Sequence, residues 1–243
     1  MNIEKEIVSL IDEENYLVGF ADMTGLIPDR YRDHNYAIVA GKKLDDRIID
    51  GLIDGPTMEY YKCYEEANRI ISEMAHKISR RLTELNISSI VIEPTLTNSE
   101  ITEEIRKTLT CDFSHKMAGT RAGLGWIGKT DLFISERFGP RLRLATVLTD
   151  HPLPCSKSPV NESKCGNCNI CVVKCPAKAA TGELWNIHTE RDVFFNPFKC
   201  KDTCLELSQK KINIKSLICG ICVSVCPYGI KDRPPRNLSQ ELN

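Results

Sequence analysis

The run Cys165-Gly-Asn-Cys168-Asn-Ile-Cys171-Val-Val-Lys-Cys175-Pro176 constrains this chain more than any other feature. Its C-x2-C-x2-C-x3-C-P spacing is the bacterial two-cluster ferredoxin pattern, in which a tight loop turns three sulfurs onto one [4Fe-4S] cubane and the fourth toward a second. A second run, Cys219-Gly-Ile-Cys222-Val-Ser-Val-Cys226-Pro227, repeats the last three positions, and Ser216 stands where its first cysteine would fall. By the crossing rule, Cys165, Cys168 and Cys171 together with Cys226 hold the first cluster. Cys175, Cys219 and Cys222 begin the second, whose fourth thiolate comes from Cys200 or Cys204, with Cys200 the first choice. Zinc also takes paired CxxC motifs and is the alternative, although it seldom uses this spacing twice over with a trailing proline.

Only Cys63 and Cys111 of the twelve cysteines lie before residue 150, so the chain has two compositional halves. Cys63, Cys111, Cys155 and Cys204 are expected to carry no metal, Cys204 being the competitor for the open position. The start, MNIEKEIVSLIDEEN, is too acidic for a signal peptide, and no run approaches eighteen apolar residues. A cytosolic chain without a membrane span is expected, where thiols stay reduced and a disulfide framework has no use. The formal net charge of -1 offers no broad footprint for nucleic acid. Two cubanes on eight thiolates would lower it by about four more.

The first half interleaves helical and strand patterns. Ile3, Ile7, Leu10 and Ile11 recur at helical spacing, and Tyr16 to Phe20, Tyr36 to Gly41 and Ile90 to Ile92 read as strands. Thr57 to Asn86 is one long amphipathic helix, Ile101 to Leu109 a short one, and Asp131 to Ile134 and Arg141 to Leu148 are further strands. The expected class is α+β: an α/β sandwich over residues 1–154, a ferredoxin-like module over 155–231 and a polar tail over 232–243.

Gly123-Leu-Gly125-Trp126-Ile-Gly128-Lys129-Thr130 satisfies both G-x-G-x-x-G and the P-loop pattern. Each needs a buried strand before it and a helix after it to bring backbone amides to phosphate. The polar stretch upstream and the strand-like Asp131 to Ile134 downstream supply neither.

The string Arg121-Ala-Gly-Leu-Gly-Trp-Ile-Gly-Lys129, followed by Phe138-Gly139, Leu144 to Thr149 and the two cysteine runs, resembles the epoxyqueuosine reductases, a family of cobalamin-dependent iron-sulfur enzymes. The resemblance is specific from about residue 116 to 228. It implies a nitroreductase-like N-terminal sandwich holding cobalamin against the two-cluster module, as in reductive dehalogenases. It further implies that the segments at Phe133 and Leu144 line the corrinoid with the glycine loop nearby, and that a cysteine placed like Cys200 completes the second cluster. Arg121, Gly123, Gly125, Trp126, Lys129, Phe133 and Leu144 are thereby the candidate cofactor-binding residues. Two positions depart from the family. Its proton-donating aspartate falls where this chain has Leu109, and its helical-repeat tail for transfer RNA has no counterpart before Asn243.

The leading expectation is an iron-sulfur oxidoreductase that takes single electrons from a donor such as a ferredoxin or flavodoxin. It passes them through two clusters to a cobalamin that reduces an unknown small molecule. Transfer RNA is not the expected substrate. His115, Asp112, Tyr60 and Tyr61 are the candidate proton donors. A non-catalytic electron carrier is the second reading, and a P-loop iron-sulfur protein the third.

Overall fold

The computed structural model describes residues 3–97 and 99–230, and the expected tail over 232–243 lies outside them. In chain order the first half contains α1 (Ile3–Val8), β1 (Tyr16–Asp22), β2 (Tyr36–Lys43), α2 (Asp46–Asp50), α3 (Met58–Glu84), β3 (Ser89–Ile92) and α4 (Glu103–Thr108). It continues with α5 (His115–Arg121), β4 (Gly125–Ile127), β5 (Phe133–Ser135) and β6 (Leu142–Thr149). The cysteine half follows with α6 (Ile170–Val173), α7 (Arg191–Phe194), α8 (Pro197–Ile212) and α9 (Ile221–Ser224).

Four strands form one antiparallel sheet in the order β1-β2-β6-β3, with Val39 opposite Thr146 and Ala40 opposite Ala145. Side chains alternate across it: Ala37 and Val39 point to one face, Ile38 and Ala40 to the other. Both faces are covered, so β2 and β6 read as nearly continuous apolar runs.

Helix α3 covers one face. Ile71, Ala75, Ile78 and Leu82 repeat at its helical period and, with Ile7 of α1, are buried against Ile38, Ala145 and Val147. Thr57 caps it, its Oγ1 accepting a bond from the Tyr60 N–H at 3.1 Å. Replacing Leu82, which is fully buried, by Ala would cost roughly 2–5 kcal/mol. The opposite face carries α5 and the β4–β5 hairpin, whose Ala118, Ala122 and Phe133 close over Leu17, Val39 and Leu148. Gly119 of α5 lies directly under the Phe133 ring, where a Cβ would collide with it.

Residues 218–224 return to this layered body. Leu52 and Tyr60 pack with Ile218 and Val223, and the Ser224 hydroxyl donates to the Leu52 carbonyl at 3.0 Å. Arg141, 1% exposed, joins the two parts: it pairs with Asp46 and Asp50 at 3.0 and 2.9 Å and reaches the Ser224 carbonyl.

A mixed helix-and-sheet body is what the periodicities led us to expect, with two differences. Strand β4 was hidden by Gly125, whose missing side chain leaves room for the Ile134 carbonyl that a Cβ would overlap. Helix α8 gives little amphipathic signal because only Cys204 and Ser208 of its sixteen residues are buried. It starts at Asn196, which accepts from the Lys199 N–H at 3.0 Å, with Pro197 in the first turn, a signal the sequence reading missed.

Candidate iron-sulfur site

Both cysteine runs carry a single turn of helix between their last three cysteines, α6 in the first and α9 in the second. Gly166 (φ +52°) precedes α6 and Gly220 (φ +85°) caps α9. The Cys168 N–H closes on the Cys165 carbonyl at 3.1 Å. This brings the sulfurs to two neighbouring voids. Cys165, Cys168, Cys171 and Cys226 line a small enclosed one. Cys175, Cys200, Cys204 and Cys219 line a second, of about 250 Å³. Cys222 and Thr130 border both and form the wall between them.

Among the described residues no three His, Cys, Asp or Glu side chains converge on a single metal ion. The sulfurs of each set line a common cavity, the kind of arrangement a cubane with iron at its corners uses. Burial pushes the thiols of Cys171 and Cys226 up, to about 11 and about 12, so as bare thiols they stay protonated. Iron supplies the positive charge that lets such buried sulfurs ionise.

The β4–β5 hairpin frames the first cavity. Trp126 donates its indole N–H to Cys165 Sγ at 3.4 Å and meets the Tyr228 ring edge-on, centroids 4.8 Å apart. Lys129, 4% exposed, donates to Asn169 Oδ1 at 2.7 Å. Thr130 borders the same cavity as Cys171. Arg121 holds the segment before the first run, through Asn161 Oδ1 at 2.7 Å and the Val160 carbonyl, and Gly123 leaves room for the Ser156 hydroxyl.

These contacts correct the P-loop alternative. A short helix precedes the glycine segment and a hairpin strand follows it, so no helix N-terminus faces a phosphate site, and Lys129 is committed to the first cysteine loop. Phe133 and Leu144 point into the core between the sheet and α5.

The candidate proton donors are dispersed. Both nitrogens of His115 are engaged: Nε2 donates to the Glu93 carbonyl at 2.9 Å, which makes Nδ1 the acceptor of the Thr146 hydroxyl at 2.8 Å. Burial lowers its pKa to about 4 and keeps the ring neutral. His115 forms the floor of a groove of about 490 Å³, whose walls include Tyr31, Ile92, Glu93, Asp112 and Phe113. Asp112 is exposed at its rim, 3.2 Å from Arg30. Tyr60 is buried in the packing between α3 and the second cysteine run, which raises its phenol pKa, and Tyr61 packs at the edge of the same cluster. Neither borders the groove.

Thr130, Asn169 and Tyr228 were not anticipated; proximity to the cysteine runs or to the Gly-Lys pair was their only signal. Nor was Arg191, which donates to the carbonyls of Leu109 and Thr108 at 2.6 and 2.7 Å and ties α7 to the loop beside the groove. Cys63 and Cys155 pack at the edges of hydrophobic clusters and Cys111 is exposed.

Residues 164–229 match the 4Fe-4S double cluster binding domain. They form a double-cluster domain. The chain is 29% identical over 119 residues to an epoxyqueuosine reductase of Leadbetterella byssophila, a match covering 49% of this chain and 38% of that protein. It is 31% identical over 120 residues to one of Pseudomonas aeruginosa, covering 49% and 32%. The chain thus matches about a third of these curated relatives' length. Among solved structures, a reductive dehalogenase described as suggesting a mechanism for B12-dependent dehalogenation superposes with a TM-score of 0.64 at 18% identity, over 89% of this chain and 30% of that one. A selenomethionine-labelled epoxyqueuosine reductase gives 0.61 at 16%, over 93% and 65%. An epoxyqueuosine reductase with an epoxyqueuosine-modified tRNA stem loop gives 0.57 at 14%, over 93% and 64%. At these identities the structural likeness establishes a shared fold. Among the described residues no helix is long and apolar enough to cross a membrane.

Proposed function

We propose that this protein is an iron-sulfur reductase that relays single electrons from an external donor through two clusters to a cobalamin at the groove beside His115, where a small molecule is reduced. The first cluster is assigned to Cys165, Cys168, Cys171 and Cys226. The second is assigned to Cys175, Cys219 and Cys222, with its fourth ligand from α8. In this reading residues 1–154 are the nitroreductase-like part that binds cofactor and substrate, and 155–231 are the relay. A reducing cytosol suits clusters of this kind.

The observation that carries the proposal is the shared wall of the two cavities, Cys222 and Thr130, together with what lies beyond the second. Asp131 borders the second cavity and pairs with Lys116 at 2.5 Å, and Lys116 adjoins His115 on the groove floor. The Lys116–Asp131 pair therefore links the lining of the second cavity to the residue next to His115.

The groove's walls suit a corrin ring with amide arms: Tyr31, Ile92 and Phe113 offer apolar surface, and Glu93, Arg30 and Asp112 offer polar partners. Phe133 and Leu144 take no part in this reading. When bound, cobalamin supplies low-valent cobalt as the two-electron reductant. The chain supplies the rest. Neutral His115 fixes the Glu93 backbone and the Thr146 hydroxyl, shaping the floor, while Asp112 at the rim can hand a proton to reduced substrate. At about 490 Å³ the groove would seat part of the corrin and leave the rest of the cofactor outside it.

Anaerobic titration of the reconstituted protein with cobalamin tests this. A saturable change in the cobalamin visible spectrum supports the reductase; none at saturating protein sinks it in favour of an electron carrier. That second reading is favoured by Leu109, which brings no carboxylate to the groove and whose carbonyl is held by Arg191.

A further inference from the structure

The second cavity holds one thiol more than a cubane needs. Cys175, Cys200, Cys204, Cys219 and Cys222 all border it, and a [4Fe-4S] cluster takes four. Three of them come from the two ferredoxin-like runs. The surplus lies on α8, where Cys200 and Cys204 stand one helical turn apart on the same face, their sulfurs 3.9 Å from each other.

The two are not equivalent. Cys200 sits at the end of the first turn of α8 and is partly exposed. Cys204 sits a turn further in and is 5% exposed. A sulfur at either place faces the same void, and moving the ligand bond from one to the other needs only side-chain rotation within one turn of a rigid helix.

We propose that Cys200 and Cys204 are alternative ligands to one iron corner of the second cluster, with Cys200 the resting ligand and Cys204 its replacement. In the exchange one Fe–S(Cys) bond breaks and one forms. The proton leaves the incoming thiol and is taken up by the outgoing thiolate, so no electron is gained or lost. The exchange moves the attachment point from a partly exposed to a buried sulfur. Solvent exposure and hydrogen bonds to sulfur set cluster potentials, so the two states differ in potential. The cluster also survives oxidation or alkylation of Cys200, the more accessible thiol. The proposal rests on the ligand reading given above.

The test is the full chain, reconstituted anaerobically as wild type, Cys200→Ala, Cys204→Ala and the double variant, with iron and sulfide counted and the clusters followed by Mössbauer spectroscopy. Alanine is used because a serine oxygen could itself bind iron. Each single variant is expected to keep both four-iron clusters, whereas the double variant loses iron from one while the other stays intact. Loss of the second cluster in either single variant would show a fixed ligand and overturn the proposal, as would a double variant that keeps wild-type iron. If the double variant lost both clusters, Cys200→Ala/Cys204→Val, which refills the buried volume, separates a folding defect from ligand loss. Should wild type itself hold no second cluster, the ligand reading fails and the proposal with it.

Discussion

The indole N–H of Trp126 points at the sulfur of Cys165 from 3.4 Å, reaching from the sheet body onto the first cysteine loop. A hydrogen bond to a cluster sulfur stabilises the more negative, reduced state and so raises the potential. The hairpin therefore holds the first cysteine loop and adjusts the redox property of any cluster bound there.

Trp126→Phe keeps most of the ring packing against Tyr228 and removes only the donor. We expect the first cluster's midpoint to fall by on the order of 50 mV, the equivalent of about a tenfold shift in a one-electron equilibrium. Redox titration followed by electron paramagnetic resonance measures it, and an unchanged midpoint would remove Trp126 from the account.

Gly139, at φ +56°, and Gly229, at φ +77°, let two backbones touch where the hairpin body meets the chain after the second run. A Cβ on either would overlap the backbone opposite, Tyr228 for Gly139 and Phe138 for Gly229. Gly139→Ala should cost more than the ~1 kcal/mol of an ordinary glycine substitution. It should also weaken iron retention, because the displaced segment carries Cys226. Thermal unfolding and iron content after gel filtration report the two effects.

Arg141 is buried with Asp46, Asp50 and the Ser224 carbonyl around it, while its Nε has no partner. Arg141→Met removes the bonds to Asp46, Asp50 and the Ser224 carbonyl, while Asp46 keeps Lys43 at 2.7 Å, so it should destabilise by about 1–3 kcal/mol in urea unfolding. Similar stability in both proteins would show that the pairs contribute nothing net.

His115 has a pKa lowered by burial to about 4, against an ordinary value near 6.5. Between those values the unfolded chain binds a proton that the folded chain does not, so folding stability falls as pH drops through this window and is fully present above it. The effect is on the order of 2 kcal/mol. His115→Gln should show a flatter dependence between pH 7 and pH 5 than wild type in urea midpoints; parallel slopes would count against the buried neutral ring.

Much of this was legible before any coordinates. The cysteine spacing pointed to two clusters because three thiols must lie within one tight loop, and the long helix was visible because Ile71, Ala75, Ile78 and Leu82 carry its period. The roles of the hairpin were harder to read. Gly125 and Gly128 look like phosphate-binding glycines, yet Gly125 accommodates the Ile134 carbonyl and Gly128 lies beside Ile134 and Cys165. His115 reads as a proton donor until its two nitrogens are seen on Glu93 and Thr146, partners 22 and 31 residues away in the chain. The surplus thiol could not be read from α8 alone, because only the fold brings Cys204 to the wall completed by Cys175, Cys219 and Cys222.

The most direct measurement is a count of iron and acid-labile sulfide in anaerobically reconstituted protein, wild type beside Cys175→Ala and Cys226→Ala. The account predicts about eight irons and eight sulfides per wild-type chain and separate loss of one cluster in each variant, because each run's last cysteine serves the cluster of the other. A colourless zinc protein, a wild type with about four irons, or two variants that lose the same cluster would contradict it.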